Sequence, residues 1–453
     1  MLAYSAFAQS PARFTGDWVG ILSEANLPLI FHIAEDSSSG LQVTLDSPLQ
    51  GASGIKCTAK TTAEDSLIIE APGASYRGRY RSAPDSLYGV WRQGPRPLSI
   101  SFKRMLRPPT PRPPFNYKID LVEYDNADKT VHLGATLTRP LPNKRYPVAI
   151  LITGSGLQDR DETIAGHKPF AIIADYLTRQ GMAVLRVDDR NMGKSTGEVK
   201  KATSADFAND VIAGINYLRT RKDIDTNRIG LIGHSEGGLI APIVYSHWPR
   251  LDFIVMLAGQ GVPGWEIILR QQTDPIRPIS MPAFNAYLPL VKEKLDILNA
   301  TFGAPDSITL RQIKASYTQW KSTVPDSLLN ILHARNVTPE MYAYQVSFEM
   351  NPWFRYFYKT DPAAFLQQVK CPVLALNGEK DIQVFPEQNI PAIKTALNKG
   401  GNTRVTTHIF PGLNHLFQHC QTCQVSEYPA LDESFAPEVL TLMGDWIKKI
   451  CNL

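Results

Sequence analysis

Ile229-Gly-Leu-Ile-Gly233-His234-Ser235-Glu236-Gly237-Gly238 decides the fold. Its first half is a short apolar run of the fully buried strand type, and a helical pattern follows over 238–247. Between them stands G-x-S-x-G. A serine at a sharp strand-to-helix turn occupies strained backbone, so small neighbours at Gly233 and Gly237 are needed to avoid collision. Ser235 would then stand exposed at the positive end of the following helix dipole, placed as a nucleophile. The competing reading is a tight turn with an incidental serine.

Outward from this turn, strands and helices alternate. Strand patterns cover 117–124, 130–138, 148–153, 183–187, 229–232, 253–257, 373–377 and 405–410, and several are continuous apolar runs. Helical patterns cover 170–180, 206–219, 238–247, 390–398 and 437–450. That alternation predicts an α/β class with a doubly wound, mostly parallel sheet. Residues 264–367 interrupt it with helical patterns and no convincing strand. A segment of that length is too long for a loop and predicts an inserted helical cap over the site. Nine prolines inside it predict short, broken helices.

A hydroxyl is a poor nucleophile at neutral pH, so a base and an orienting acid are required later in the chain, in the order Ser, Asp or Glu, His. Asp381 follows the 373–377 strand through Gly378-Glu379-Lys380, and His415 follows the 405–410 strand through Pro411-Gly412-Leu413-Asn414. The expected triad is Ser235, His415 and Asp381. Glu379 is the rival acid, His419 the rival base, and Asp188, at a strand end, a lesser rival acid. His234 reads as the variable residue of the turn. An oxyanion hole needs two backbone amides. One is expected from Glu236, and the other from the glycine-containing turn after the 148–153 strand, at Ser155, with Gly156 the alternative.

Two phosphate-binding motifs fail on inspection. Gly154-x-Gly156 would need a third glycine where Asp159 stands, and Gly193-Lys194-Ser195 would need a leading glycine where Asp188 stands. No cofactor and no metal are therefore expected.

Residues 14–106 are different in character: short alternating runs, separated by turn residues, at 18–22, 28–34, 41–45, 66–70, 76–81, 87–92 and 98–102. They predict a small all-β domain, an antiparallel barrel or sandwich. Arg107-Pro-Pro-Thr-Pro-Arg-Pro-Pro114 carries five prolines in eight residues, which predicts a stiff linker over 107–116 before a catalytic domain at 117–453. The chain has 34 prolines in 453 residues, above the usual share of about one in twenty, and this stretch and the cap hold much of the excess.

Against 47 basic residues stand 43 acidic ones, a net charge of +4, too balanced for a protein whose main partner is a polyanion. No nucleic-acid partner is expected. No apolar run approaches the roughly 18 residues of a membrane span. Ala6-Phe7-Ala8 has the form of a signal-peptidase site, so residues 1–13 read as the remnant of a signal peptide, and export to the periplasm or beyond is expected. Of the five cysteines, Cys420 and Cys423 form C-x-x-C; two unlinked thiols are expected ahead of a local disulfide, and zinc is last because suitable partners are lacking.

Taken together, Gly154-Ser-Gly-Leu-Gln-Asp-Arg-Asp161, Gly166-His-Lys-Pro-Phe170, Val184-Leu-Arg-Val-Asp-Asp-Arg190, Gly193-Lys-Ser-Thr-Gly197, Gly233-His-Ser-Glu-Gly237, Asn377-Gly-Glu-Lys-Asp381 and Gly412-Leu-Asn-His415 resemble the α/β-hydrolases of the EstD-like esterase group, relatives of serine aminopeptidase-like hydrolases. The resemblance implies hydrolysis of small-molecule carboxylic esters with small to medium acyl groups, through an acyl-enzyme. It also implies structural roles for Asp188, Asp189 and Arg190. Leu157 stands where such proteins often have proline, and Asn191 where glycine is common. Two other functions compete. An aminopeptidase or amidase would use the same triad and need an acidic cluster such as Glu266, Asp274 and Glu349. A non-catalytic binding protein would have no need of a strained serine turn. A homodimer is the one assembly left open.

Overall fold

The computed structural model describes residues 11–24, 27–36, 40–47, 50, 52–63, 65–141 and 144–453. Met1 to Ala8, with the signal-peptidase motif, lie outside the described residues. The chain divides into two compact units, one comprising residues 1–110, 165–167 and 420–434 and the other 111–164, 168–419 and 435–453.

The first unit is built on a closed antiparallel barrel of eight strands in sequence order: β1 (Gly16–Leu22), β2 (Leu27–Asp36), β3 (Gly40–Ser47), β4 (Ala52–Ala63), β5 (Ser66–Ala71), β6 (Ala74–Ser82), β7 (Asp85–Arg92) and β8 (Pro97–Arg104). β1 pairs with β8 to close it, through Trp18 opposite Arg104 and Gly20 opposite Phe102. The alternation along each strand sends Trp18, Phe31, Tyr76, Trp91 and Phe102 inside, where Phe31 and Phe102 lie 4.7 Å apart ring to ring. Seven of these strands are legible in the sequence. β4 is not, because its Lys, Thr and Ala residues carry little apolar alternation and it is held by its neighbours β3 and β5.

The start of the proline-rich stretch is anchored rather than free. The amides of Leu106 and Arg107 donate to Asp432 Oδ1 at 2.8 and 3.0 Å. Close by, the His167 ring is fully buried; its Nε2 donates to the Tyr428 carbonyl and its Nδ1 accepts from Ser434 Oγ, both at 2.8 Å. Burial and the Arg107 charge push the imidazole down to about 4, so it is neutral and can accept at Nδ1. These bonds explain why residues 165–167 and 420–434 group with the barrel. Within that second segment Cys420 and Cys423 are joined by a disulfide, correcting the expectation of unlinked thiols. The loop brings the two close because Glu427 gathers the amides of Gln421, Thr422 and Cys423.

The second unit carries an eight-stranded sheet: β9 (Lys118–Asp125), β10 (His132–Arg139), β11 (Tyr146–Ile152), β12 (Ala183–Val187), β13 (Ile224–His234), β14 (Phe253–Leu257), β15 (Val373–Gly378) and β16 (Val405–Phe410). Its order is β16-β15-β14-β13-β11-β12-β10-β9, and β10 alone runs against the rest. Alternate residues of β11 serve opposite faces. Val148, Ile150 and Ile152 join a core with the helices Ser204–Thr220, Glu236–His247 and Pro386–Lys399; Ala149 and Leu151 join one with Pro169–Arg179 and Pro437–Cys451. Helices on both faces make the sheet doubly wound, as the alternating pattern predicts.

Between β14 and β15 lie seven α-helices, Gly264–Thr273, Met281–Ala300, Asp306–Thr323, Asp326–Ile331, Pro339–Ser347, Pro352–Lys359 and Ala363–Leu366. Two are long, 20 and 18 residues, where proline content predicts short ones. The prolines mostly start helices: Pro282, Pro339 and Pro352 lie in first turns and Pro305 and Pro325 at N-caps, where no intrahelical amide bond is lost. Leu290, Val291, Leu298, Ile313 and Tyr317 give this cap its own core.

Candidate active site

β13 ends at His234 and the next helix begins at Glu236, leaving Ser235 alone to turn the chain. It does so at φ 53° and ψ −117°, a conformation L-residues rarely adopt. A Cβ on Gly233 would lie 2.0 Å from the Gly237 carbonyl oxygen, and one on Gly237 would lie 2.2 Å from that of Ile152. Only glycine fits either place. From Leu231 to Ile240, Ser235 is the one residue that is not buried. Gly233→Ala is therefore expected to cost about 3 kcal/mol or more, read as a lowered urea midpoint; a midpoint equal to wild type would contradict the close approach.

Asp381 and His415 leave adjacent parallel strands, β15 and β16. His415 Nδ1 lies 2.7 Å from Asp381 Oδ2, and the carboxylate's other oxygen accepts from the amides of Gln383 and Val384 at 2.8 and 2.9 Å. Both side chains are buried. The rivals are engaged elsewhere. Glu379 accepts from Gly412 N, His419 pairs with Glu438, and Asp188 is bonded to Arg160.

His234 ties the Ser235 turn to the His415 loop. Its ring centroid is 4.8 Å from that of His415, and its Nε2 lies 3.1 Å from the His415 carbonyl oxygen. Among the described residues Ser235 Oγ makes no hydrogen bond to His415. Nucleophile–base bonds in resting hydrolases are often long and tighten when substrate arrives.

The turn after β11 lies against the serine, since a Cβ on Gly154 would be 3.2 Å from Ser235 Cβ. Ser155 and Gly156 follow it and are exposed. Glu236 opens its helix, so its amide has no intrahelical partner. The two residues expected to supply amides are also linked by side chains. The buried Glu236 carboxyl accepts from Ser155, from Ser204 Oγ at 2.6 Å and from the indole N–H of Trp353, on the cap helix Pro352–Lys359, at 2.8 Å. Nothing in the sequence signals the Trp353 contact.

Three further carboxyls hold the turn in shape. Asp188 bonds the amide and guanidinium of Arg160; Asp189 accepts from Thr153 Oγ1 and Gln158 N, each at 2.8 Å. Glu162, which no sequence motif singles out, is 1% exposed and accepts from Gly154 N at 2.6 Å and faces His234 Nδ1 at 2.9 Å. Arg190 instead pairs with Asp210. Asn191 takes φ 63°, which explains why glycine is the common residue there and why asparagine serves.

Burial pushes the Asp189 acid up to about 8; bonds from Gln158 and Thr153 oppose the rise, and the nearby Glu236 and Glu162 carboxyls add to it. Folded, it holds its proton at pH 7; unfolded, it loses it above about 4. The native state thus binds more protons across that window, and this group's contribution to stability falls as pH rises from about 4 to about 8. In Asp189→Asn the urea-measured stability should decline less between pH 5 and pH 8 than in wild type. An equal decline would remove Asp189 as its source.

The sheet order, the strand–serine–helix turn and the inserted cap together define an α/β-hydrolase fold. Residues 167–294, which include Ser235 but neither Asp381 nor His415, match the family model described as serine aminopeptidase, S33. The chain is similar to the esterase EstD of Thermotoga maritima, 25% identical over 302 residues that make up 66% of this chain and 61% of that protein. The match thus spans less than two thirds of that relative. An acyl transferase of Photorhabdus laumondii is 29% identical over 145 residues, 32% of this chain and 43% of the relative. Among solved structures, the esterase Pf2001 of Pyrococcus furiosus aligns with 74% of this chain and 93% of its own at 18% identity and a TM-score of 0.41. Among the described residues no helix is long and apolar enough to cross a membrane.

Proposed function

We propose that the chain is a serine hydrolase of carboxylic esters with small to medium acyl groups. Ser235 attacks the ester carbonyl while His415 takes its proton, and Asp381 holds the imidazole with its free nitrogen toward the serine. The amides of Ser155 and Glu236 receive the oxyanion, with Gly156 as the alternative to Ser155. His415 then protonates the departing alkoxide, leaving an acyl-enzyme, and repeats the cycle with water. The observation that carries this reading is Ser235, unburied at a strained turn, with the His415–Asp381 pair held beside it through His234.

The family model's name keeps peptide or amide cleavage as the second reading. The cap speaks for esters, because the three acidic residues weighed above for holding a free amino terminus are engaged. Glu349 is paired with Lys294 at 2.6 Å, Asp274 with Arg270 at 2.8 Å, and Glu266 accepts from Gln388 at 3.0 Å. Comparing p-nitrophenyl acetate with aminoacyl-p-nitroanilides decides between the two. Faster ester cleavage is expected, and faster anilide cleavage would overturn the assignment. Failure of a fluorophosphonate to label the folded chain would favour a binding protein on a hydrolase scaffold.

A further inference from the structure

We propose that Glu162 and His234 form a buried ion pair that binds the oxyanion turn, the serine turn and the His415 loop into one unit, and that places a fixed positive charge beside the candidate base. The proposal rests on the hydrolase reading for its kinetic consequences, but not for the state of the pair itself.

The protons can be assigned from the partners. His234 Nε2 faces the His415 carbonyl, which can only accept, so Nε2 carries hydrogen. Nδ1 faces Glu162 Oε1, and that oxygen already receives the Gly154 amide at 2.6 Å. A protonated carboxyl giving its hydrogen from Oε1 to Nδ1 would make a poor acceptor for so short an amide bond. A proton on Oε2, which has no hydrogen-bond partner among the described residues, would leave either two lone pairs facing each other across the Nδ1–Oε1 contact or a cationic ring with no counter-charge. The remaining state is an ionised Glu162 with both nitrogens of His234 protonated.

The surroundings keep the two charges together. Phe170, Leu257, Leu416, Phe417 and Phe435 enclose the pair, and either charge alone would be costly there. Burial lowers the His234 imidazole, but the Glu162 carboxylate outweighs it and the ring is held above its ordinary value. Among the described residues, Asp189 faces Glu162 on the oxyanion side, and Asp381 and His415 face His234 on the base side.

The cationic ring lies 4.8 Å from the His415 ring, on the side of the loop it holds through the His415 carbonyl. Glu162 and His234 are positioning residues, since neither reaches the reacting atoms.

The test has two arms. In the resting wild-type chain at pH 7, ¹⁵N–¹H correlation of the imidazoles, assigned by the signals lost in His234→Asn, should show both His234 nitrogens protonated; one unprotonated nitrogen would overturn the pair. With p-nitrophenyl acetate, folded His234→Asn should lose about tenfold to a hundredfold in kcat with KM little changed. Glu162→Gln should lose as much in kcat, because anion and cation vanish together. A kcat equal to wild type in folded His234→Asn would refute the positioning role. If wild type cleaves no ester, the hydrolase reading fails on its own, and the NMR arm still decides the state of the pair, as it does should the variants fail to fold.

Discussion

Asp381→Asn is expected to lower kcat on p-nitrophenyl acetate by about 10⁴-fold while the chain still folds. The amide side chain of this variant can keep accepting the Gln383 and Val384 amides through its oxygen, so the loop after β15 has no reason to move. Its NH₂ then replaces the oxygen that faces His415 Nδ1 at 2.7 Å. A donor there requires Nδ1 to accept, which shifts the hydrogen of neutral imidazole to Nε2, the nitrogen that must take the proton of Ser235. The base is present but in the wrong tautomer. Circular dichroism checks the fold, and a kcat within tenfold of wild type would exclude Asp381 as the orienting acid and return the question to Glu379.

Ser235→Ala is expected to have the larger effect, a loss of about 10⁶-fold in kcat together with complete loss of fluorophosphonate labelling. The substitution removes one oxygen from a residue that is not buried and leaves the Ser155 and Glu236 amides in place. Thermal unfolding should therefore stay close to wild type, and any residual rate above the uncatalysed one would report the oxyanion amides alone. Turnover and labelling that survive in this variant would mean the nucleophile lies elsewhere.

Much of this site is legible along the chain because each part depends on its immediate neighbours. Gly233 is required by the Gly237 carbonyl four residues on, whereas Gly237 is required by the Ile152 carbonyl of the adjacent strand. Asp381 and His415 each follow a strand whose apolar run announces it, at the edge where a doubly wound sheet collects its ligands. The parts that escaped are those whose meaning lies in a distant partner. Glu162 belongs to no motif along the chain, and it is buried where His234, 72 positions away, and Gly154 meet it. His234 reads as a variable spacer, and only the His415 carbonyl, 181 positions on, gives its ring a task. Trp353 is one aromatic residue among many in the cap until its indole reaches Glu236. β4 and the Cys420–Cys423 bond share that origin, the first shaped by β3 and β5 and the second by a loop gathered on Glu427.

Hydrophobic period and backbone sterics act over a few residues, so the alternation of elements, the turn at Ser235, the chain order of the candidate nucleophile, acid and base, and the all-β character of residues 14–106 are legible along the chain. Which carboxyls are buried and paired, which histidine faces which carbonyl, and the grouping of residues 165–167 and 420–434 with the barrel emerge only from the folded chain. Desolvation and hydrogen bonding depend on what the rest of the fold packs against a group, and that is set by residues tens to hundreds of positions away.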